Sequence, residues 1–130
     1  MNFRLELFVK DLQKSIRFYE EILGLTFYKK HETGAMIKHV DFALLLTHDA
    51  ILNENHYLKK GGLNPKGKGM ELVLVSDDIE GLYQHVLEKN YPMESELKLQ
   101  SWGMKDFRII DPDGYYLRLT SNKLNDELKQ

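Results

Sequence analysis

Two stretches decide the fold: LELFVKDLQKSIRFYEEILG, residues 5–24, and LVLVSDDIEGLYQHVLEKNY, residues 72–91. Each is a short apolar or alternating run, then an aspartate, then a helical pattern. A carboxylate at a helix start accepts the orphan amides of the first turn, so Asp11 and Asp78 read as N-caps. After Asp11, Leu12, Ile16, Tyr19 and Leu23 follow at helical spacing, and Gly24 ends the helix. After Asp78, Ile79, Leu82, Tyr83, Val86 and Leu87 do the same. The chain says one thing twice.

The ends of the two halves match as well. ALLLTH (43–48) lies against YLRLTS (116–121), with Leu44, Leu46 and Thr47 opposite Leu117, Leu119 and Thr120. Between helix and last strand each half has room for two more strands. These are expected over Leu25–His31 and Ala35–Val40 in the first half, and over Ser95–Leu99 and Lys105–Ile110 in the second. The turn DPDG (111–114) delivers the last strand, with Pro112 setting φ and Gly114 accepting a positive one. The expected fold is therefore α+β: two tandem βαβββ modules forming a cleft between curved mixed sheets. Module one spans about 3–48 and module two about 70–121. A Gly-, Asn- and Lys-rich linker (about 49–69) without periodicity joins them, and a polar tail follows at 122–130.

Composition narrows the function classes. The 130 residues suit one domain, with 42% hydrophobic and 29% charged side chains. A net charge of -2 offers no general attraction to nucleic acid or to an anionic membrane. No apolar run approaches the roughly 20 residues of a membrane span, and the N-terminus lacks a signal-peptide pattern, so a cytoplasmic protein is expected. The absence of cysteine excludes disulfides, thiol chemistry and Cys-based metal sites. Ser76, Ser95, Ser101 and Ser121 sit in no nucleophile-elbow setting, and GGLNPKGKGM (61–70) has no strand-to-helix context for a phosphate loop. The histidines (31, 39, 48, 56 and 85) show no ligand-like spacing. They read as surface or strand-end residues, with His39 and His48 as the alternative source of an unrecognised metal site.

FVKDLQKSIRFYEEILGL (8–25) and SWGMKDFRIIDPDGYYLRL (101–119) give the chain a likeness to a known family. It resembles the vicinal oxygen chelate superfamily of glyoxalases, extradiol dioxygenases, fosfomycin-resistance enzymes and bleomycin-resistance proteins. The likeness runs from about Phe3 to Ser121, and the Trp-Gly pair before Asp-Pro-Asp-Gly is particularly similar to bleomycin-resistance proteins. Enzymes of that superfamily hold a divalent metal with one His, Gln or Glu from the first and last strand of each module. Matched strand by strand, the resemblance puts those positions at Arg4, Leu45, Glu71 and Arg118. Arg4 and Glu71 each stand seven residues before the capping aspartate. Arginine is always protonated and only donates, so one carboxylate among two arginines and a leucine predicts no metal and no cofactor.

Alternation along the strands sends Arg4, Glu6, Phe8, Glu71, Val73, Val75, Tyr116, Arg118 and Thr120 to the face away from the helices. The expected ligand-binding set is Arg4, Glu6, Phe8, Leu45, Glu71, Trp102, Tyr116 and Arg118. Arg4 and Arg118 against Glu71 make a local surplus of +1 (two minus one). Glu71 is expected to bond one guanidinium bidentately, leaving the other for a ligand anion, with Trp102 covering the flat part of that ligand. The contrary reading has the charged side chains merely pairing with each other, and Trp102 packing as core.

The expected function is metal-free binding or sequestration of a small organic ligand such as an antibiotic, by a homodimer. The dimer and the antibiotic are implied by the resemblance. Two other classes stay open: a glyoxalase-like enzyme (lyase, isomerase or dioxygenase type) with Glu71 or Glu6 as base or with another metal site, and a ligand-free structural or regulatory module.

Overall fold

A computed structural model describes residues 1–60, 62–63 and 65–122. Among them the chain forms two compact units, Met1–Lys66 and a second beginning at Gly67. Beyond Asn122, the tail read at 122–130 lies outside the described residues.

The first unit runs β1 (Arg4–Val9), α1 (Leu12–Arg17), β2 (Lys29–His31), β3 (Gly34–Lys38) and β4 (Ala43–His48). Its sheet has the order β1-β4-β3-β2, with β1 parallel to β4 and the other pairs antiparallel. The second unit repeats this with β5 (Leu72–Ser76), α2 (Ile79–Glu88), β6 (Ser95–Leu99), β7 (Lys105–Ile110) and β8 (Tyr116–Ser121). Its order is β5-β8-β7-β6, again with one parallel pair, β5 with β8. Both units are thus βαβββ and the fold is α+β.

Capping follows the expected chemistry in both units. Asp11 accepts from the amide of Lys14 at 3.1 Å and Asp78 from that of Gly81 at 3.0 Å. After Arg17 the first helix widens into one π turn, Phe18–Ile22. Leu23 N then reaches back to Phe18 O and Leu25 N to Tyr19 O. That last bond takes the Leu25 amide out of any sheet, so β2 starts only at Lys29 rather than at Leu25. At the other end, His39 N bonds Phe42 O at 2.8 Å, and the turn so closed stops β3 at Lys38 rather than Val40.

Alternation decides the core. In the first unit Leu7, Val9, Ala35, Ile37, Leu44 and Leu46 are buried together with Leu12, Ile16 and Tyr19 of the helical segment, and α1 lies against β4. In the second, Phe107, Ile109, Leu117 and Leu119 are buried with Ile79 and Val86, and α2 lies against β7 and β8. The Tyr83 ring meets Phe107 edge-on at 5.1 Å. Each fully buried Leu or Ile contributes roughly 1.5–3 kcal/mol of transfer free energy.

The stretch after β4 is held to the first unit. A 3-10 turn covers Asp49–Ile51, Leu52 is buried, and the nearly buried Lys66 ammonium lies 2.9 Å from Asp49 Oδ2. The DPDG turn is closed by Asp111, whose Oδ1 accepts from the amides of Asp113 and Tyr115, both at 2.9 Å. Gly114 takes φ +98 there. Gly67 is a glycine for a second reason: a Cβ on it would meet the Tyr115 ring at 2.5 Å.

Candidate functional site

The face of the second sheet away from α2 carries the chemistry. Phe107 and Ile109 of β7 point to the core, so Asp106 and Arg108 point the other way. Register places Arg108 directly opposite Arg118, and Asp106 opposite Thr120. Two like charges side by side on neighbouring strands repel unless an anion lies between them. Glu71, just ahead of β5, is that anion. Its Oε2 accepts from Arg108 Nε at 3.1 Å, and its Oε1 lies 3.2 Å from Arg118 Nε. The two contacts differ in kind. Arg108 makes an aligned hydrogen bond. Arg118 Nε is buried yet has no hydrogen-bond partner among the described residues, so that ion pair is one of charge alone.

Around this bridge stand Asp106, Gln100, Trp102, Tyr116 and Glu94. Asp106 is 0% exposed, and its Oδ1 lies 3.4 Å from Arg108 Nη1. Burial works against the Arg108 charge. The hydrogen bond to Glu71 and the charge of Asp106 outweigh it and hold the guanidinium above its ordinary pKa. Tyr116 donates to Glu94 Oε2 at 2.6 Å, and burial followed by that bond pushes its hydroxyl up to about 12. Trp102 is 43% exposed, with the Arg118 guanidinium 5.9 Å from its ring centroid. It is a partly exposed plate over a cation, within the reach of a cation–π contact.

Of the residues expected from the sequence, Glu71, Trp102, Tyr116 and Arg118 come together on this unit. Glu71 departs from the bidentate pairing expected of it and divides its oxygens between two guanidiniums. Arg108, Asp106, Gln100 and Glu94 were not among the expected residues. Alternation along KDFRII carried the signal for Asp106 and Arg108, the same signal that singles out Arg118. Here two guanidiniums (Arg108, Arg118) face two carboxylates (Glu71, Asp106), and a third, Glu94, stands behind Tyr116, so the local count is two positive against three negative.

In the first unit the expected residues make a milder surface. Arg4 opens β1 and is exposed. Glu6 and Leu45 are register partners, and Thr47 donates to Glu6 Oε2 at 2.6 Å. Phe8 tilts against His56 at 6.4 Å between centroids. Two of the histidines serve local turns: Nδ1 of His48 accepts from Ala50 N, and Nδ1 of His56 from Leu58 N.

The four positions that the family resemblance gives to a metal do not fit one. Arg4 and Arg118 are cations that only donate, Leu45 has no donor atom, and both Glu71 oxygens face guanidiniums. Among the described residues no group of three or more His, Asp or Glu side chains could hold an ion elsewhere. Nor is any helix among them long and apolar enough to cross a membrane.

Tandem βαβββ units, each with one face of its sheet not covered by its own helix, define a class of small α+β protein. The chain belongs to the Glyoxalase/Bleomycin resistance protein/Dioxygenase superfamily, whose model matches residues 3–119. A bleomycin resistance protein of Geobacillus stearothermophilus is 31% identical over 120 residues, covering 81% of this chain and 84% of its own. The glutathione transferase FosA of Serratia marcescens is 28% identical over 120 residues, covering 88% and 76% respectively. A solved protein of unknown function from Agrobacterium tumefaciens shares the fold with a TM-score of 0.78, 24% identity and 94% coverage of both chains.

Proposed function

We propose that this protein is a metal-free binder of a small organic anion. The ligand's acidic group bonds Arg118 and its flat part lies on Trp102. One observation carries the reading. The partners of Arg118 among the described residues are a carboxylate it meets without an aligned hydrogen bond and the ring of Trp102. A guanidinium offers five N–H donors in a planar fork, and its terminal nitrogens remain to match a carboxylate or phosphate. With no local surplus of positive charge, recognition rests on this unused geometry. A superfamily that includes a bleomycin resistance protein among this chain's relatives is consistent with an organic ligand. A role for Glu71 as general base is disfavoured, because both of its oxygens are engaged by guanidiniums.

Phenyl phosphate tests the reading, since it joins a ring to an anion. Wild-type protein is expected to bind it with a change in Trp102 fluorescence. The double variant Glu71→Gln/Arg118→Met strands no buried carboxylate on the site. It is expected to fold and to bind about tenfold more weakly or worse, as loss of a charge-assisted bond requires. Equal affinity in the two proteins overturns the proposal. Elemental analysis is expected to find less than stoichiometric Ni, Zn, Fe or Mn after a mild chelator wash. A full equivalent would refute the metal-free reading.

We extend the proposal to a homodimer. Val73 and Val75, half-exposed on the edge strand β5, are the kind of surface a second copy covers. Light scattering at micromolar concentration is expected to give twice the 15.3 kDa chain mass; a monomer mass removes this extension.

A further inference from the structure

Asp106 touches neither Trp102 nor Arg118, yet it contacts a neighbour of each: Gln100 of the Trp102 turn and Arg108 of the guanidinium network. Resting on the ligand reading above, we propose that Asp106 is a positioning residue. It fixes the turn that presents Trp102 and ties that turn to the guanidinium network, so that plate and cation keep one geometry.

The side chain is fully buried, and its two oxygens are used unequally. Oδ1 accepts from Gln100 Nε2 at 2.8 Å and lies 3.4 Å from Arg108 Nη1. Oδ2 has no hydrogen-bond partner among the described residues. A buried carboxylate with one oxygen unbonded is destabilising, and an apolar side chain would fill this place without that penalty. The two contacts it does make explain its presence. Gln100 closes the turn that carries Trp102. Gln100 N bonds Met104 O at 2.8 Å, Gly103 N bonds Gln100 O at 3.0 Å, and Gly103 supplies φ +89. A carboxylate can only accept, so it orients the Gln100 amide with its nitrogen inward and holds the turn from below. Arg108 leads the other way, to Glu71 and through it to Arg118. Asp106 stands between these two chains of contacts, beside the direct approach of Arg118 to the Trp102 ring.

Trp102 is the only tryptophan, so its fluorescence reads the turn without a label. Gln100→Met removes the amide donor while keeping length and charge. In the ligand-free protein it is expected to red-shift Trp102 emission and raise its quenching by acrylamide. In the binding assay it is expected to weaken phenyl phosphate roughly threefold to tenfold, the worth of one hydrogen bond. Asp106→Asn keeps an acceptor for Gln100 and should leave quenching at the wild-type level. Asp106→Leu should match Gln100→Met. Wild-type quenching in a folded Gln100→Met protein overturns the proposal, whatever becomes of the leucine variant. A wild-type protein that fails to bind phenyl phosphate refutes the ligand reading instead, and the ligand-free quenching still decides on Asp106.

Discussion

The strands ALLLTH (β4) and YLRLTS (β8) occupy the same place in their units and differ at one telling position. Burial runs identically along both: the second, fourth and fifth residues are buried and the others are partly exposed. Leu44 and Leu46 do in one sheet what Leu117 and Leu119 do in the other. The third residue, Leu45 or Arg118, lies on the face that no helix covers. There the fold makes no demand for an apolar side chain, so the sequence can place chemistry. The first unit spends the position on a leucine beside a Glu6–Thr47 hydrogen bond. The second spends it on a guanidinium inside a network of four charges. Repeated architecture and unrepeated chemistry are carried by alternate residues of one strand.

The equivalence of the buried positions is the claim most easily broken. Leu46→Ala and Leu119→Ala should each destabilise by about 2–5 kcal/mol in denaturant unfolding, since both sites are sealed. A cost well under 1 kcal/mol at either would show that its unit is not packed as its counterpart is. The contrast of the open faces predicts a smaller, asymmetric pair of effects. Glu71→Gln takes a carboxylate from two guanidiniums at partly exposed positions and should cost about 1–2 kcal/mol. Glu6→Gln disturbs one hydroxyl bond and should cost about 0.5–1 kcal/mol. Equal costs would erase the distinction drawn between the faces. The caps should again be equivalent: Asp11→Ala and Asp78→Ala are each expected to lose about 1 kcal/mol.

A further effect belongs to the second unit alone and appears only in alkali. The Tyr116 hydroxyl is raised from 10.0 to about 12 in the fold, by burial and then by its bond to Glu94. Above pH 10 the unfolded chain gives up this proton while the native protein keeps it. Stability from this group is therefore complete below pH 10 and declines as pH rises towards 12. Tyr91, likewise raised to about 12 by burial and by Asp111, adds to the same slope. Tyr116→Phe should make the alkaline loss shallower without abolishing it. An unchanged slope would mean that the tyrosine is not held by Glu94.

Much of this was legible beforehand because it is local. A cap needs an aspartate three residues from the amide it accepts, and both were read from such spacing. β6, β7 and β8 fall on the expected residues because apolar alternation and the DPDG turn lie within a few positions of each other. The misjudged ends, Leu25 and Val40, were set by contacts that spacing does not display: a helix carbonyl reaching Leu25 N, and a turn closing at His39. Trp102 was expected near Arg118, but the residue that anchors its turn was not, because a buried aspartate within KDFRII looks like any polar position of a strand.

What the sequence determined by itself is the doubled βαβββ pattern, the two caps, and which side of each strand faces a helix, because periods of 2 and 3.6 act over short spans. What only the tertiary structure decided is who partners whom on the uncovered face. Arg108 and Arg118 become neighbours through the register of β7 on β8, and Glu71 reaches Arg108 across 37 residues of chain. Pairing of that kind depends on strand register and sheet order, which no local period encodes, and a slip of one residue would send the same side chains into the core.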